Sequence, residues 1–115
     1  MNKSLALLRQ EFESDSRRTP QYLEFHRTFK REFSKALTNM GCSKVEIGKP
    51  NHFDVSGFFT GPNEQIWWFR LEDLRWNKDN ILIRTAKHYK DYTGGSNQWV
   101  STANLIGGVE RLINR

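Results

Sequence analysis

The stretch TPQYLEFHRTFKREFSKALTNMG constrains the fold more than any other part of the sequence. Thr19 is placed to accept a hydrogen bond from a helix's first free N–H groups, and Pro20 suits the first helical position. From there Tyr22, Phe25, Phe29, Phe33, Leu37 and Met40 recur every three or four residues. At about 100° per residue they form one narrow apolar stripe, and Gly41 closes the helix. Such a stripe must be buried against something, so the rest of the chain has to supply a second layer.

After Gly41 the periodicity shortens to that of strands. SKVEIG reads as a short strand with Val45 and Ile47 on one side. NHFDVSGFFT alternates Phe53, Val55, Gly57 and Phe59 against His52, Asp54, Ser56, Phe58 and Thr60. Gly61-Pro62-Asn63 marks a turn, QIWWFRL the partner strand of a hairpin, and NILIRTAKHYK a further strand. LEDLRWN between them suits a single helical turn. Upstream, KSLALLRQEFE carries Leu5, Leu8 and Phe12 at helical spacing with Ser4 as its cap, and ESDSRR that follows has no apolar period. At the other end Ser101 or Thr102 can cap a last helix with Leu105, Ile106, Val109, Leu112 and Ile113 on one face. The expectation is a single compact domain over residues 1–115. It is of the α+β class, with an antiparallel sheet of about four strands packed with two N-terminal helices and one C-terminal helix.

Composition narrows the function classes. Hydrophobic residues make up only 37% of the 115, but four tryptophans and eight phenylalanines supply enough apolar area for a core. The lone Cys42 excludes an internal disulfide and a Cys-rich zinc site, and it reads as a small buried hydrophobe. SLALL is too short for a signal-peptide core, and no apolar run approaches the ~20 residues of a membrane helix. A reducing, cytoplasmic setting with no membrane is therefore expected. The formal net charge of +5 points to a polyanionic partner: nucleic acid, whether DNA or RNA and free or in a ribonucleoprotein, an anionic lipid surface, or an acidic protein.

The bases are not scattered evenly. With the apolar stripe of the long helix turned inward, Arg27, Lys30, Arg31 and Lys35 fall on its opposite side, with Arg17 and Arg18 just upstream. From residue 17 to 35 these six bases face only Glu24 and Glu32. A row of this kind can follow a phosphate backbone by displacing counterions, although every amphipathic helix must also have some polar face. Arg84, Lys87 and Lys90 are expected to extend the track. Trp67 and Trp68 are adjacent in a strand, so they point to opposite faces of the sheet. One of them, if exposed, would offer a stacking surface to an unpaired base or an anchor to a protein.

In KHYKDYTGGSNQW, residues Gly94, Gly95, Ser96 and Asn97 can present backbone N–H groups to an anion and deliver the chain to a helix N-terminus. The plainer reading is a connector whose glycines allow positive φ. No GxxxxGK[ST] spacing occurs. His26, His52 and His88 lie on three different elements with no HxH or HxxxH pair, so no metal site, cofactor or catalytic residue is assigned. Gly107-Gly108 inside the last helix suggests close packing against a neighbour.

The segment from HFDVSGFF through IWWFRLEDLR to LIRTAKHYKDYTGGSNQ, roughly Phe53–Asn97, resembles small uncharacterised proteins of bacterial phages and plasmids. That resemblance implies work on behalf of a mobile element, including inhibition of host defence as by anti-CRISPR proteins. It carries no catalytic residue. The leading expectation is a non-enzymatic nucleic-acid-binding module using phosphate contacts and aromatic stacking. The second is a protein-interaction module from a mobile element, binding a host effector ribonucleoprotein. A metal-dependent nuclease using Asp54 and Glu46 is the minor third.

Overall fold

In a computed structural model, residues 2–9 and 19–114 are described; Phe12, Arg17 and Arg18 lie outside them. The elements are α1 (Asn2–Leu8), α2 (Pro20–Asn39), β1 (Ser43–Ile47), β2 (Val55–Thr60), β3 (Ile66–Leu71), β4 (Asn80–Ala86), β5 (Gln98–Ser101) and α3 (Leu105–Ile113). The strands form one antiparallel sheet in the order β1-β2-β3-β4-β5. The α+β class and the three helices are as expected. The sheet has five strands rather than about four.

The helix α2 forms where its stripe and its cap require. The Thr19 hydroxyl accepts from the Tyr22 N–H at 3.2 Å, and the cap is fixed by extended backbone at Thr19. Tyr22, Phe25, Phe29, Phe33 and Leu37 are all buried. Phe25, Phe29 and Phe33 stack in sequence with centroids 5.5 and 4.8 Å apart, and Phe33 meets Phe69 of β3 edge-on at 5.1 Å. Each such ring is worth about 3–5 kcal/mol against alanine. Ser4 does not cap α1. It lies inside the helix, buried, and its N–H donates to Glu32 Oε1 of α2 at 2.8 Å.

The inward face of the sheet is built by Val55, Phe59, Trp67, Phe69, Leu71, Ile81, Ile83 and Val100, which share one core with α2 and α3. Gly108 of α3 lies so close to β5 that an added Cβ would sit 2.5 Å from Val100 Cγ1. Gly108 therefore serves close packing of α3 on the sheet.

Strand β2 starts four residues later than its alternation suggests. His52 and Phe53 both have positive φ, 52° and 63°, which no strand can accommodate. They make a turn closed by the Asn51–Asp54 bridge. Tyr22 pins that turn from the helix: its hydroxyl accepts from the Asn51 N–H at 2.8 Å and donates to the Asp54 carbonyl at 2.7 Å. His26 is buried and bonds Gly48 O through Nε2 at 2.9 Å. Burial lowers the His26 pKa, the carbonyl contact opposes this, and the Lys30 charge lowers it further, leaving the ring below its usual value. LEDLRWN forms a turn in which the Trp76 and Asn77 N–H groups both reach the Asp73 carbonyl.

Candidate nucleic-acid interface

Among the described residues, helices cover only one face of the sheet. The other face carries Ser56, Phe58, Ile66, Trp68, Arg70, Leu82, Arg84, Ala86 and Trp99 by the alternation and register of the strands. One row runs across four strands: Glu46 beside Phe58, Phe58 beside Trp68, Trp68 beside Arg84. An apolar face this wide needs a cover. It is supplied by the segment between β4 and β5, which is the KHYKDYTGGSN stretch.

That segment folds back over the sheet as a strap. Tyr89 packs on Phe58 at 5.5 Å between centroids, and its hydroxyl donates to the Lys44 carbonyl of β1 at 2.6 Å while lying 2.9 Å from Thr60 Oγ1. Tyr92 meets Phe58 and Trp68 edge-on at 5.5 and 6.2 Å. Phe58, Trp68, Leu82 and Ala86 thereby form a second, smaller buried cluster. Arg84 lies flat over Trp68, its Cζ 4.2 Å from the ring centroid, and its Nη2 donates to the Tyr92 carbonyl at 2.9 Å.

Asp91 holds the strap in shape. Its carboxylate accepts from the Lys87 N–H at 3.0 Å and from the Thr93 N–H and hydroxyl at 3.1 and 3.2 Å. The Lys87 N–H, then the Thr93 N–H, hold the Asp91 carboxyl below the usual carboxylate range. The expectation that Gly94, Gly95, Ser96 and Asn97 lead to a helix N-terminus is corrected. The segment enters β5 instead. The Asp91 carboxylate takes the N–H groups of Lys87 and Thr93, just upstream of these four residues. Gly95 has φ +72°, and a Cβ there would strike Thr85, so the connector reading of the glycines holds.

Neither Trp67 nor Trp68 is exposed: they retain 7% and 6% of their surface. The condition attached to their stacking role is not met. Trp67 goes into the helix-side core, and Trp68 lies beneath Arg84 and Tyr92. The large exposed rings among the described residues are instead Trp76, Tyr92 and Trp99. Trp99 pairs with Leu82 across β4–β5, which makes it the diagonal neighbour of Arg84 on the strap side of the sheet. Sequence alternation could have found Trp99, had QWVS been read as a strand.

The basic residues divide between the two sides. Arg27, Lys30, Arg31 and Lys35 are exposed on α2 and close no ion pair among the described residues. Arg84 and the exposed Lys87 and Lys90 lie on the strap side, with the whole sheet between the two groups. They do not extend one track. The packing of α2 on one face and of the strap on the other separates them.

The residues weighed for metal chemistry are engaged or apart. Asp54 accepts from Arg70 at 2.6 and 3.1 Å and from the Asp73 N–H at 2.7 Å, while Glu46 lies on the strap side of β1. Among the described residues no three His, Cys, Asp or Glu side chains are grouped to hold a metal ion. No helix among them is long and apolar enough to cross a membrane. Compared with known protein families, curated proteins and solved structures, the chain gives no match.

Proposed function

We propose that the protein is a non-enzymatic module that binds single-stranded nucleic acid on the strap-covered face of its sheet. The observation that carries this reading is the coincidence of exposed rings and cations there. Trp99 and Tyr92 are 52% and 56% exposed, and Arg84, Lys87 and Lys90 flank them. Stacking on such rings is worth ~1–3 kcal/mol per base and requires bases that are unpaired. The solvent face of α2 has cations but no exposed aromatic ring, so it suits long-range steering of a polyanion better than base contact.

The test is a titration of labelled single-stranded and double-stranded oligonucleotides, DNA and RNA, at two salt concentrations. Single strands are expected to bind tighter than duplexes, with a log–log salt slope of about −0.7 per phosphate contacted. Binding that ignores salt, or that prefers duplex, contradicts the reading.

Trp76, 77% exposed in the β3–β4 connection, favours a second reading in which a protein partner is captured through that ring. Trp76→Ala would then abolish partner capture while leaving oligonucleotide affinity unchanged.

A further inference from the structure

The sheet ends in two edges, β1 and β5, and only one of them is blunted. β1 has an irregular register between Ser43 and Glu46, a positive φ at Lys44, and the charged side chains of Lys44 and Glu46. Bulges and charges are what keep a sheet edge from pairing with another chain. β5 has neither: its register with β4 is unbroken, and none of its four side chains is charged.

The register shows which backbone groups of β5 are unused. The Thr102 N–H donates to the Asp79 carbonyl at 2.8 Å, and these two residues continue the β4–β5 pairing. Val100 and Gln98 therefore also turn their N–H and C=O groups towards β4, while Trp99 and Ser101 turn theirs outward. Among the described residues nothing bonds these outward groups. Beside the edge lies a groove of about 250 Å³ between β5 and α3, whose helix wall is Asn104, Gly108, Arg111 and Leu112. Arg111 is exposed and closes no ion pair among the described residues.

We propose that the β5 edge and this groove receive an extended segment of a partner protein as a further antiparallel strand, with a small apolar side chain opposite Val100 and an acidic one opposite Gln98. Backbone pairing with Trp99 and Ser101 supplies the affinity, and alternate side chains supply the selectivity. Val100 belongs to the helix-side core, so Gln98, two residues away, shares its side of the sheet. α3 runs back beneath β5: Gly108 lies against Val100, and Leu112 lines a neighbouring cleft together with Gln98. The side chain opposite Val100 thus enters the groove beside Gly108, where the helix wall carries no side chain. Two residues further on, the side chain opposite Gln98 reaches the last turn of α3, where Arg111 stands. An unpaired guanidinium on a chain of net charge +5 favours a carboxylate there.

Spacing and charge both decide against a second copy of this chain as the occupant. β5 paired with its own two-fold mate would set the strands about 4.8 Å apart. Two helices packed side by side need about 8–10 Å between axes, and among the strands α3 packs chiefly on β5. The two copies of α3 would compete for one space. QWVS also has no carboxylate to offer Arg111.

The probe is a labelled nine-residue peptide of serine and threonine carrying one valine and, two positions after it, one glutamate. In the free chain the Trp99 and Ser101 amides are expected to exchange fast and the Val100 amide slowly. Millimolar peptide should slow Trp99 and Ser101 at least several-fold and leave Val100 as it was. N-methylation of the peptide residue between valine and glutamate, which faces Trp99, should remove that protection. Lysine in place of the glutamate should weaken binding, read by anisotropy, by about fivefold, and Arg111→Glu should reverse the preference. No protection of Trp99 and Ser101 at millimolar peptide overturns the docking edge. Equal affinity for the glutamate and lysine peptides overturns the acidic partner. A dimer in sedimentation that protects the same two amides without peptide assigns the edge to a second copy and overturns the proposal. None of these outcomes depends on nucleic acid, so the proposed function stands or falls separately.

Discussion

Arg84 covers Trp68, with its guanidinium carbon 4.2 Å from the ring centroid, and the same group holds the Tyr92 carbonyl. One arginine therefore does two things: it shields an indole on the strap side of the sheet, and it ties the strap to β4. A cation over an indole at a partly exposed site contributes about 0.5–1 kcal/mol. Arg84→Ala should thus lower stability by roughly 1 kcal/mol while opening the Trp68 ring. Iodide quenching of tryptophan fluorescence is expected to increase in this variant. Unchanged quenching would mean that Trp68 is shielded by Tyr92 alone.

Asp91 is the internal anchor of the strap. Asp91→Ala removes the acceptor used by the Lys87 and Thr93 N–H groups. Hydrogen exchange at those two amides should accelerate at least several-fold, while core amides such as those of Phe69 and Ile83 keep their protection. The pH dependence has a definite sign. Because the folded Asp91 pKa is depressed, its contribution is present above the unfolded value of about 4 and is lost as pH falls through the folded pKa. Exchange of the two amides, corrected for intrinsic rate, should rise in wild type only in that acid range.

His26 gives the opposite kind of group, a base whose folded pKa is lowered, first by burial. Between the folded pKa and the unfolded value of about 6.5, only the unfolded chain binds the proton. Stability is complete above about pH 6.5 and falls as the pH drops through that window. The urea midpoint should therefore be lower at pH 5 than at pH 7. His26→Gln can still donate to the Gly48 carbonyl, so it should fold and show a smaller drop. An equal drop in both proteins would assign the pH effect to other groups.

Much of this architecture was legible because local signals and burial agree. The α2 stripe, the Thr19 cap and the alternation from Val55 to Phe59 each have one satisfactory solution, and the structure adopts it. The misses share a cause: a short element whose pattern is overridden from outside. QWVS is only four residues, and its pairing with β4 makes it a strand. The HFD segment alternates like a strand, but Tyr22 and His26 of α2 hold its neighbours in a turn. At the candidate site, residue types were readable and faces were not. Which tryptophan is exposed depends on where an eleven-residue connection between strands lies, and that follows from Tyr89 reaching Lys44, 45 positions earlier in the chain. Asp91 drew no attention beside its basic and aromatic neighbours, yet its spacing from Lys87 and Thr93 is what shapes the loop.

Gly108 offers a packing test independent of function. A methyl group there would press on Val100 Cγ1, so the Val100 side chain or the edge strand β5 that carries it would have to shift. Overpacking of this kind costs typically 1–3 kcal/mol, against the ~1 kcal/mol that alanine gains over glycine in a helix. Gly108→Ala should therefore come out neutral to destabilising in urea, and never a full 1 kcal/mol more stable. A Gly108→Ala, Val100→Ala pair should recover the helix gain relative to Val100→Ala alone. Failure of that recovery would mean that the two residues do not meet.

The separation of the two basic groups makes the sharpest functional prediction. Arg27, Lys30, Arg31 and Lys35 lie on the helix side of the sheet, and Lys87 and Lys90 on the strap side. A hexanucleotide bound against Tyr92 and Trp99 cannot reach both sides of a two-layer domain at once. Lys87→Ala and Lys90→Ala should each reduce the magnitude of the salt slope by about 0.7 if each meets one phosphate, whereas Arg27→Ala and Arg31→Ala should leave it unchanged. The α2 variants should act instead on the association rate with long strands, where the field of the whole molecule matters. If the α2 variants change the slope with hexanucleotides and the strap variants do not, the binding face is α2, and the exposed rings of the sheet serve another partner.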